Sequence, residues 1–287
     1  IQYGQTSRKS IRSRAGESKL GRQGNRNLCV FIQQENRSEN AHRVRGLCER
    51  LMKKIVLFCL LSFALQAQSP LMKAHAHNDY EHERPFFEAF QLGFGSIEAD
   101  VYAVNGQLLV GHERNQLSLN RNLKDLYIDP IIRILKANKE GDFHQLLIDS
   151  KTSADSTLPL IIAALKPHAE IIQQKGFRIV ISGNRPKPSQ YIESPAWITF
   201  DGRSNERFPT SKVVLESESM LKFGFWAGQG PIPAALKEKL KNYVDQVHAN
   251  GRKVRLWATP DSLLGYQALI DIGVDYIGTD KLSLLAD

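Results

Sequence analysis

Residues 74–113 read AHAHNDYEHERPFFEAFQLGFGSIEADVYAVNGQLLVGHE. His75 and His77 close a short apolar run, Glu98 and Asp100 stand two apart in SIEADVYAV, and His112 follows QLLVG directly. Side chains alternate faces along a strand with a period of two, so a strand over SIEADVYAV turns Glu98 and Asp100 the same way. Two carboxylates on one face make an oxygen site for a hard cation. Two histidines that reach such a site supply an acid and a base.

Working outward, the same stretch starts a recurring order of strand, loop and helix. LMKAHA (71–76) is a short strand, PFFEAFQLG (85–93) a short helix that Gly93 can cap, and Asn105-Gly106 a tight turn returning the chain through QLLVG as a hairpin. Strands follow at 145–151, 177–184, 197–203, 253–259 and 276–280. Helices are expected at 129–141, across 157–176 with a break at Pro167, at 234–251 and at 262–273. Within 204–232, VVLESE reads as the sixth barrel strand, and FGFWA as a strand or part of a loop. Strands alternating with helices indicate a parallel α/β fold. About eight such units, with polar residues gathered at the strand C-terminal ends, predict a (β/α)8 TIM barrel over residues 68–287.

The first 67 residues read differently. Residues 1–51 have no apolar periodicity and carry 11 Lys or Arg against 4 Glu. They suggest translated upstream sequence before a start at Met52, or a disordered basic arm. Residues 52–67 have the layout of a signal peptide: Lys53 and Lys54, then an apolar run from Ile55 to Leu65 that is too short to span a bilayer. The expectation is therefore a bacterial periplasmic or secreted protein. These two segments carry +7 and +2 against a whole-chain charge of +8, which leaves residues 68–287 at −1, so the basic pI of about 9.3 is no sign of nucleic-acid binding. Cys29, Cys48 and Cys59 also precede Gln68, which excludes disulfides, thiolate metal sites and cysteine nucleophiles from the barrel itself.

Taken singly, each polar residue at a strand end has an ordinary explanation. A lone histidine is a hydrogen-bonding structural residue, Asp149 and Lys151 a solvated ion pair, Trp257 a core residue, and Asn78-Asp79 a turn. Together they would bring three carboxylates, two histidines and a lysine to the ends of the first three strands. Burying that much charge costs free energy unless the groups pair or hold a cation. An oxygen-only donor set suits one divalent cation, Mg2+ or Ca2+, rather than Zn2+.

The order His, E-x-D, His, acid-x-Lys resembles the PLC-like barrel phosphodiesterases: glycerophosphodiester phosphodiesterases, phosphatidylinositol-specific phospholipases C and sphingomyelinase D enzymes. Residues 92–113 and the ending WATPDSLLGYQALIDIGVDYIGTD carry this likeness. HNDY at 77–80, GNRP at 183–186 and FDGR at 200–203 resemble a subgroup that includes bacterial secreted proteins and fungal proteins named for altered inheritance of mitochondria. The resemblance implies His77 and His112 as the acid–base pair, Glu98, Asp100 and Asp149 as metal ligands, and Lys151 as a phosphate contact. Asn78, Arg185 and Trp257 are the further expected substrate contacts. The usual His-Arg of strand one is His77-Asn78 here, with Arg185 a candidate replacement for the missing cation; the third ligand is Asp rather than Glu, and the 112–149 connection is too short for an inserted subdomain. The implied activity is hydrolysis of a glycerophosphodiester or phospholipid head-group ester, through a cyclic phosphate where a neighbouring hydroxyl attacks. The implied partner is that small substrate, with transient membrane-surface contact and no nucleic acid or protein. Two alternatives remain: an H-x-H amidohydrolase- or PHP-type site built on His75 and His77, and a barrel that binds a phosphate ligand without catalysis.

Overall fold

Strands rich in Ile, Leu and Val on both faces need cover on both faces. The computed structural model, which describes residues 70–285, meets that need by closing the sheet on itself. The strands are β1 (Ala74–Ala76), β2 (Ser96–Val104), β3 (Gln107–Val110), β4 (Gln145–Ser150), β5 (Arg178–Gly183), β6 (Ile198–Gly202), β7 (Val213–Ser219), β8 (Lys253–Trp257) and β9 (Tyr276–Thr279). All but β3 are parallel, and β1 pairs with both β2 and β9, so eight strands form a closed barrel. β3 lies antiparallel on β2 with Val104 opposite Gln107. Its two-residue turn places Asn105 at φ 50° and Gly106 at φ 78°, the left-handed pair that a tight hairpin requires.

Helices α1 (Phe87–Leu92), α2 (Asp129–Lys136), α3 (Ala154–Leu165), α4 (Ala169–Gln174), α5 (Ala234–Ala249) and α6 (Leu263–Ile272) surround the barrel strands. In α5 the buried residues Leu236, Leu240, Tyr243, Val244 and Val247 follow the helical repeat and form one apolar stripe. Ser262 caps α6 by accepting from the Gly265 N–H, and Gly273 ends it at φ 103°. The expected 157–176 helix is two helices, because Pro167 stands in a 3-10 turn between α3 and α4. After β5 and β6 the connections contain short 3-10 turns (Pro188–Glu193 and Thr210–Lys212) in place of helices. The structure confirms the (β/α)8 TIM-barrel fold.

One local expectation changes, and one open alternative is decided. Residues 70–73 wind a 3-10 turn, so β1 starts at Ala74 and His77 falls just beyond its end. VVLESE does form β7, whereas FGFWA (223–227) has no strand pairing.

The apolar core has two parts. The larger lies between strands and helices; the smaller consists of Leu147, Val180, Leu215 and Tyr276, with partly buried Val214 packed against it. Above Leu147 and Val180 on the same faces come Asp149 and Ser182, and above Leu215 comes Ser217. The strands therefore turn from apolar to polar on approaching their C-terminal ends, where barrels carry their sites.

Candidate active site

β2 supplies the base of the site. Glu98 and Asp100 share a face as their spacing requires, and both are buried. Asp100 is directly opposite Asp149 on β4, and Asp149 is opposite Ser182 on β5. Glu98, Asp100 and Asp149 each offer a carboxylate oxygen, and these oxygens lie within 4.8 Å of one another. Among the described residues this is the only cluster of that kind, and it contains no histidine. Gly183 makes room for it: at φ 66°, a Cβ there would sit 2.3 Å from Asp149 Oδ1.

Under the cluster runs a buried hydrogen-bonded chain. Gln145 donates to Ser96 Oγ (2.9 Å), Ser96 lies 2.8 Å from His75 Nδ1, and His75 Nε2 lies 2.9 Å from Glu98 Oε2. Burial and the nearby Arg255 charge lower the His75 pKa to about 4, so the ring is neutral and donates to Glu98 from Nε2. Arg255 on β8 donates to the same Glu98 oxygen at 2.6 Å. Burial alone would raise the Glu98 carboxyl, but Arg255 and the His75 hydrogen bond hold it well below the usual carboxylate range.

Asp100 and Asp149 differ from Glu98. Burial and the Glu98 charge push Asp100 up to about 6, and the same two causes raise Asp149. Lys151 bridges them, with Nζ 3.0 Å from Asp100 Oδ2 and 3.2 Å from Asp149 Oδ1. Burial would lower the Lys151 pKa, but the two carboxylates outweigh it and raise it. Asp100 Oδ1 is buried without a hydrogen-bond partner. An orphaned carboxylate oxygen within an all-oxygen donor set fits a hard divalent cation.

The two histidines flank this centre. His77 Nδ1 lies 2.7 Å from Asp280 Oδ1, just past β9. Burial would lower the His77 pKa, but the Asp280 hydrogen bond and nearby acidic charges raise it. His112 Nδ1 lies 3.1 Å from the Tyr80 hydroxyl and 3.3 Å from Asp100 Oδ2. No described residue bonds Nε2 of either ring. Trp257, at the end of β8, is 41% exposed and lines a cavity of about 200 Å3 with His77, Thr259, Asp261 and Asp280.

Two expected substrate contacts are occupied within the protein. Asn78 donates from Nδ2 to Asp280 and accepts from Tyr80 at Oδ1. Arg185 forms a two-pronged pair with Glu206 at 2.9 and 3.0 Å and also donates to Tyr191 and to the Asp201 carbonyl. The sequence reading gave no role to Arg255, Asp280 or Tyr80. The signals were there: Arg255 shares a strand face with Trp257, Asp280 ends the G-V-D-x-I-x-T-D segment, and Tyr80 closes HNDY.

A family model described as the AIM6-like phosphodiesterase domain matches residues 65–145. Altered inheritance of mitochondria protein 6 of Eremothecium gossypii is 30% identical over 268 residues, covering 75% of this chain and 69% of that protein. The Lachancea thermotolerans protein of the same name is 26% identical, covering 73% of this chain and 64% of its own length. A homolog from Arthroderma benhamiae is 34% identical over 168 residues, half of each chain. Among solved structures, a glycerophosphodiester phosphodiesterase from Parabacteroides distasonis matches with a TM-score of 0.44 and 16% identity, covering 74% of this chain and 93% of that one. The fungal relatives correct the expected localisation: they point to a eukaryotic protein rather than a bacterial periplasmic one. The segments behind that expectation, 1–51 and 52–67, lie outside the described residues.

Proposed function

The chain belongs to the AIM6-like family of the PLC-like phosphodiesterase superfamily, and from that premise we propose that it hydrolyses a glycerophosphodiester or a phospholipid head-group ester by paired histidine acid–base catalysis. The observation that carries the reading is the pair of rings at the carboxylate cluster, each held at Nδ1 by a protein oxygen and each with Nε2 unbonded by any described residue. Glu98, Asp100 and Asp149 are the residues that would hold Mg2+ or Ca2+. When bound, such a cation polarises a phosphoryl oxygen and makes a hydroxyl easier to deprotonate.

The remaining work falls to the chain. Lys151 sits where its ammonium neutralises phosphate charge, while Asp100 and Asp149 keep it protonated. His77, whose charged form Asp280 favours, is suited to protonate the leaving alcohol from Nε2. His112 presents its Nε2 lone pair to the attacking hydroxyl, because its Nδ1 faces the two oxygens of Tyr80 and Asp100. The cavity lined by Trp257 has room for a small alcohol group beside His77. The H-x-H alternative finds no support in the geometry, since buried His75 is engaged at both nitrogens.

Turnover of glycerophosphocholine, glycerophosphoinositol, a lysophospholipid and sphingomyelin tests the proposal. Chelation should abolish cleavage of at least one, with Mg2+ or Ca2+ restoring it. No cleavage of any under either cation would replace this reading with a barrel that binds a phosphate ligand without catalysis.

A further inference from the structure

His77 and His112 lie on different loops, yet one set of hydrogen bonds joins them. Asp280 Oδ1 meets His77 Nδ1 at 2.7 Å and Asn78 Nδ2 at 3.3 Å. That contact fixes the Asn78 amide and turns its Oδ1 to the Tyr80 hydroxyl, 2.8 Å away. The same hydroxyl lies 2.7 Å from Asp100 Oδ2 and 3.1 Å from His112 Nδ1. Asn78 reaches both sides because its backbone is left-handed at φ 49°, a conformation that Asn tolerates better than most residues. Tyr80 is 2% exposed, and Arg121 holds its carbonyl.

Donor arithmetic decides how the hydroxyl is used. A phenol has one proton and two lone pairs. Two of its three neighbours, Oδ2 of ionised Asp100 and Asn78 Oδ1, can only accept, so the single proton goes to one of those two oxygens. The ring at His112 then donates from Nδ1 toward the Tyr80 oxygen at 3.1 Å, with Asp100 Oδ2 a more distant second acceptor at 3.3 Å. This selects the Nδ1–H tautomer and leaves the Nε2 lone pair available.

We propose that Tyr80 and Asn78 are positioning residues that set the two histidines as one unit. Tyr80 holds His112 in the Nδ1–H tautomer, and Asn78 ties that hydroxyl to the Asp280 carboxylate that orients His77. HNDY is then a single device in which the first residue reacts and the second and fourth aim both rings. Both ends of the Asn78 amide serve this bridge, which replaces its expected role as a substrate contact. The inference rests on the acid–base reading of His77 and His112.

The test uses full-chain Tyr80→Phe, which keeps the buried ring and removes the hydroxyl, and Asn78→Gly, which keeps the left-handed backbone and removes the amide. Ring-nitrogen NMR without added cation should show His112 mainly as the Nδ1–H tautomer in the wild type and as a mixture in Tyr80→Phe. At saturating Mg2+ or Ca2+, Tyr80→Phe should lower kcat roughly tenfold or more with KM little changed, and Asn78→Gly by several-fold. On a His112→Ala background, Tyr80→Phe should cost nothing further, as expected for a residue that acts through His112. The proposal is overturned if raising the cation concentration restores Tyr80→Phe, because the hydroxyl then acts through Asp100. An equal loss on the His112→Ala background overturns it as well. If no diester is turned over by the wild type, the functional reading fails separately and the ring-nitrogen measurement decides; an unchanged tautomer in Tyr80→Phe then overturns the positioning role.

Discussion

Two sides of the barrel mouth carry similar residues and use them in opposite ways. On the side of β1, β2 and β4, polar groups retain unfilled capacity: Asp100 Oδ1 is buried without a partner, and no described residue bonds Nε2 of His77 or His112. On the side of β5 and β6, charge largely closes on charge, with Asp201 Oδ1 the buried carboxylate oxygen left over, and the difference lies in the two histidine Nε2 atoms. Arg185 pairs with Glu206, and Arg203 donates to Asp201 at 2.6 Å and to the Gly202 carbonyl. A charged residue at a strand end is therefore a candidate for chemistry only after its partners are counted. On the proposed reading the first side carries the chemistry, and the second holds the loops that frame it.

The largest effect should come from the reactive side. His77→Ala and His112→Ala should each lower kcat by about 10²- to 10⁴-fold, the usual span for losing a general acid or base. Urea melts should remain close to wild type, since both rings are partly exposed. The double variant should fall well short of the product of the single losses, because the pair acts as a unit. Wild-type turnover in all three would remove the distinction between the two sides.

The opposite side gives the next largest effect, on a different quantity. Arg185 is largely buried, and removing it leaves Glu206 and the Asp201 carbonyl short of donors. Arg185→Ala should lower unfolding free energy by roughly 2–4 kcal/mol while kcat per folded molecule stays within a few-fold of wild type. A normal melt with a steep rise in KM would instead restore Arg185 to the phosphate.

This contrast also marks what the sequence made legible. Glu98 and Asp100 were readable because a two-residue spacing has one outcome on a strand. The barrel was readable because apolar runs alternate with helical repeats and with Gly and Pro. Arg255 and Asp280 were harder, because their partners Glu98 and His77 lie far along the chain and only ring closure through β8, β9 and β1 brings them near. Arg185 drew a functional expectation for the same reason. Nothing local in GNRP says that Glu206 will fold back to meet it. FGFWA has the composition of a strand without a neighbour to pair with, and composition alone does not reveal that.

A smaller effect sharpens the reactive side. Asp280 raises the His77 pKa through its hydrogen bond, against the lowering effect of burial. Asp280→Asn should therefore move the limb of the kcat/KM profile that belongs to His77 toward lower pH and reduce kcat by roughly tenfold. A profile identical to wild type would show that the pair at 2.7 Å does not govern proton transfer.

The smallest effect sought is a change of slope, and it tests whether a shifted pKa alone marks a reactive group. Asp79 and Asp100 are both fully buried carboxyls pushed up to about 6. Their neighbours differ. Asp79 Oδ2 accepts from the Phe86 N–H at 2.5 Å and the Tyr127 hydroxyl at 2.8 Å, so it serves as an internal brace for the loop after β1. Burial is the main cause of its shift, and those two hydrogen bonds oppose it. The folded pKa lies above the ordinary value of 3.8, so the folded chain holds the Asp79 proton more tightly than the unfolded chain does. The resulting stability is fully present below about pH 4 and is lost as pH rises through about 6. Asp79→Asn removes this titration, so unfolding free energy measured by urea melts should fall less steeply with pH across that window than in the wild type. Since Asp79 braces rather than reacts, kcat at neutral pH should change little. A large loss of kcat with unchanged stability would place Asp79 among the reacting groups and extend the reactive side beneath the loop.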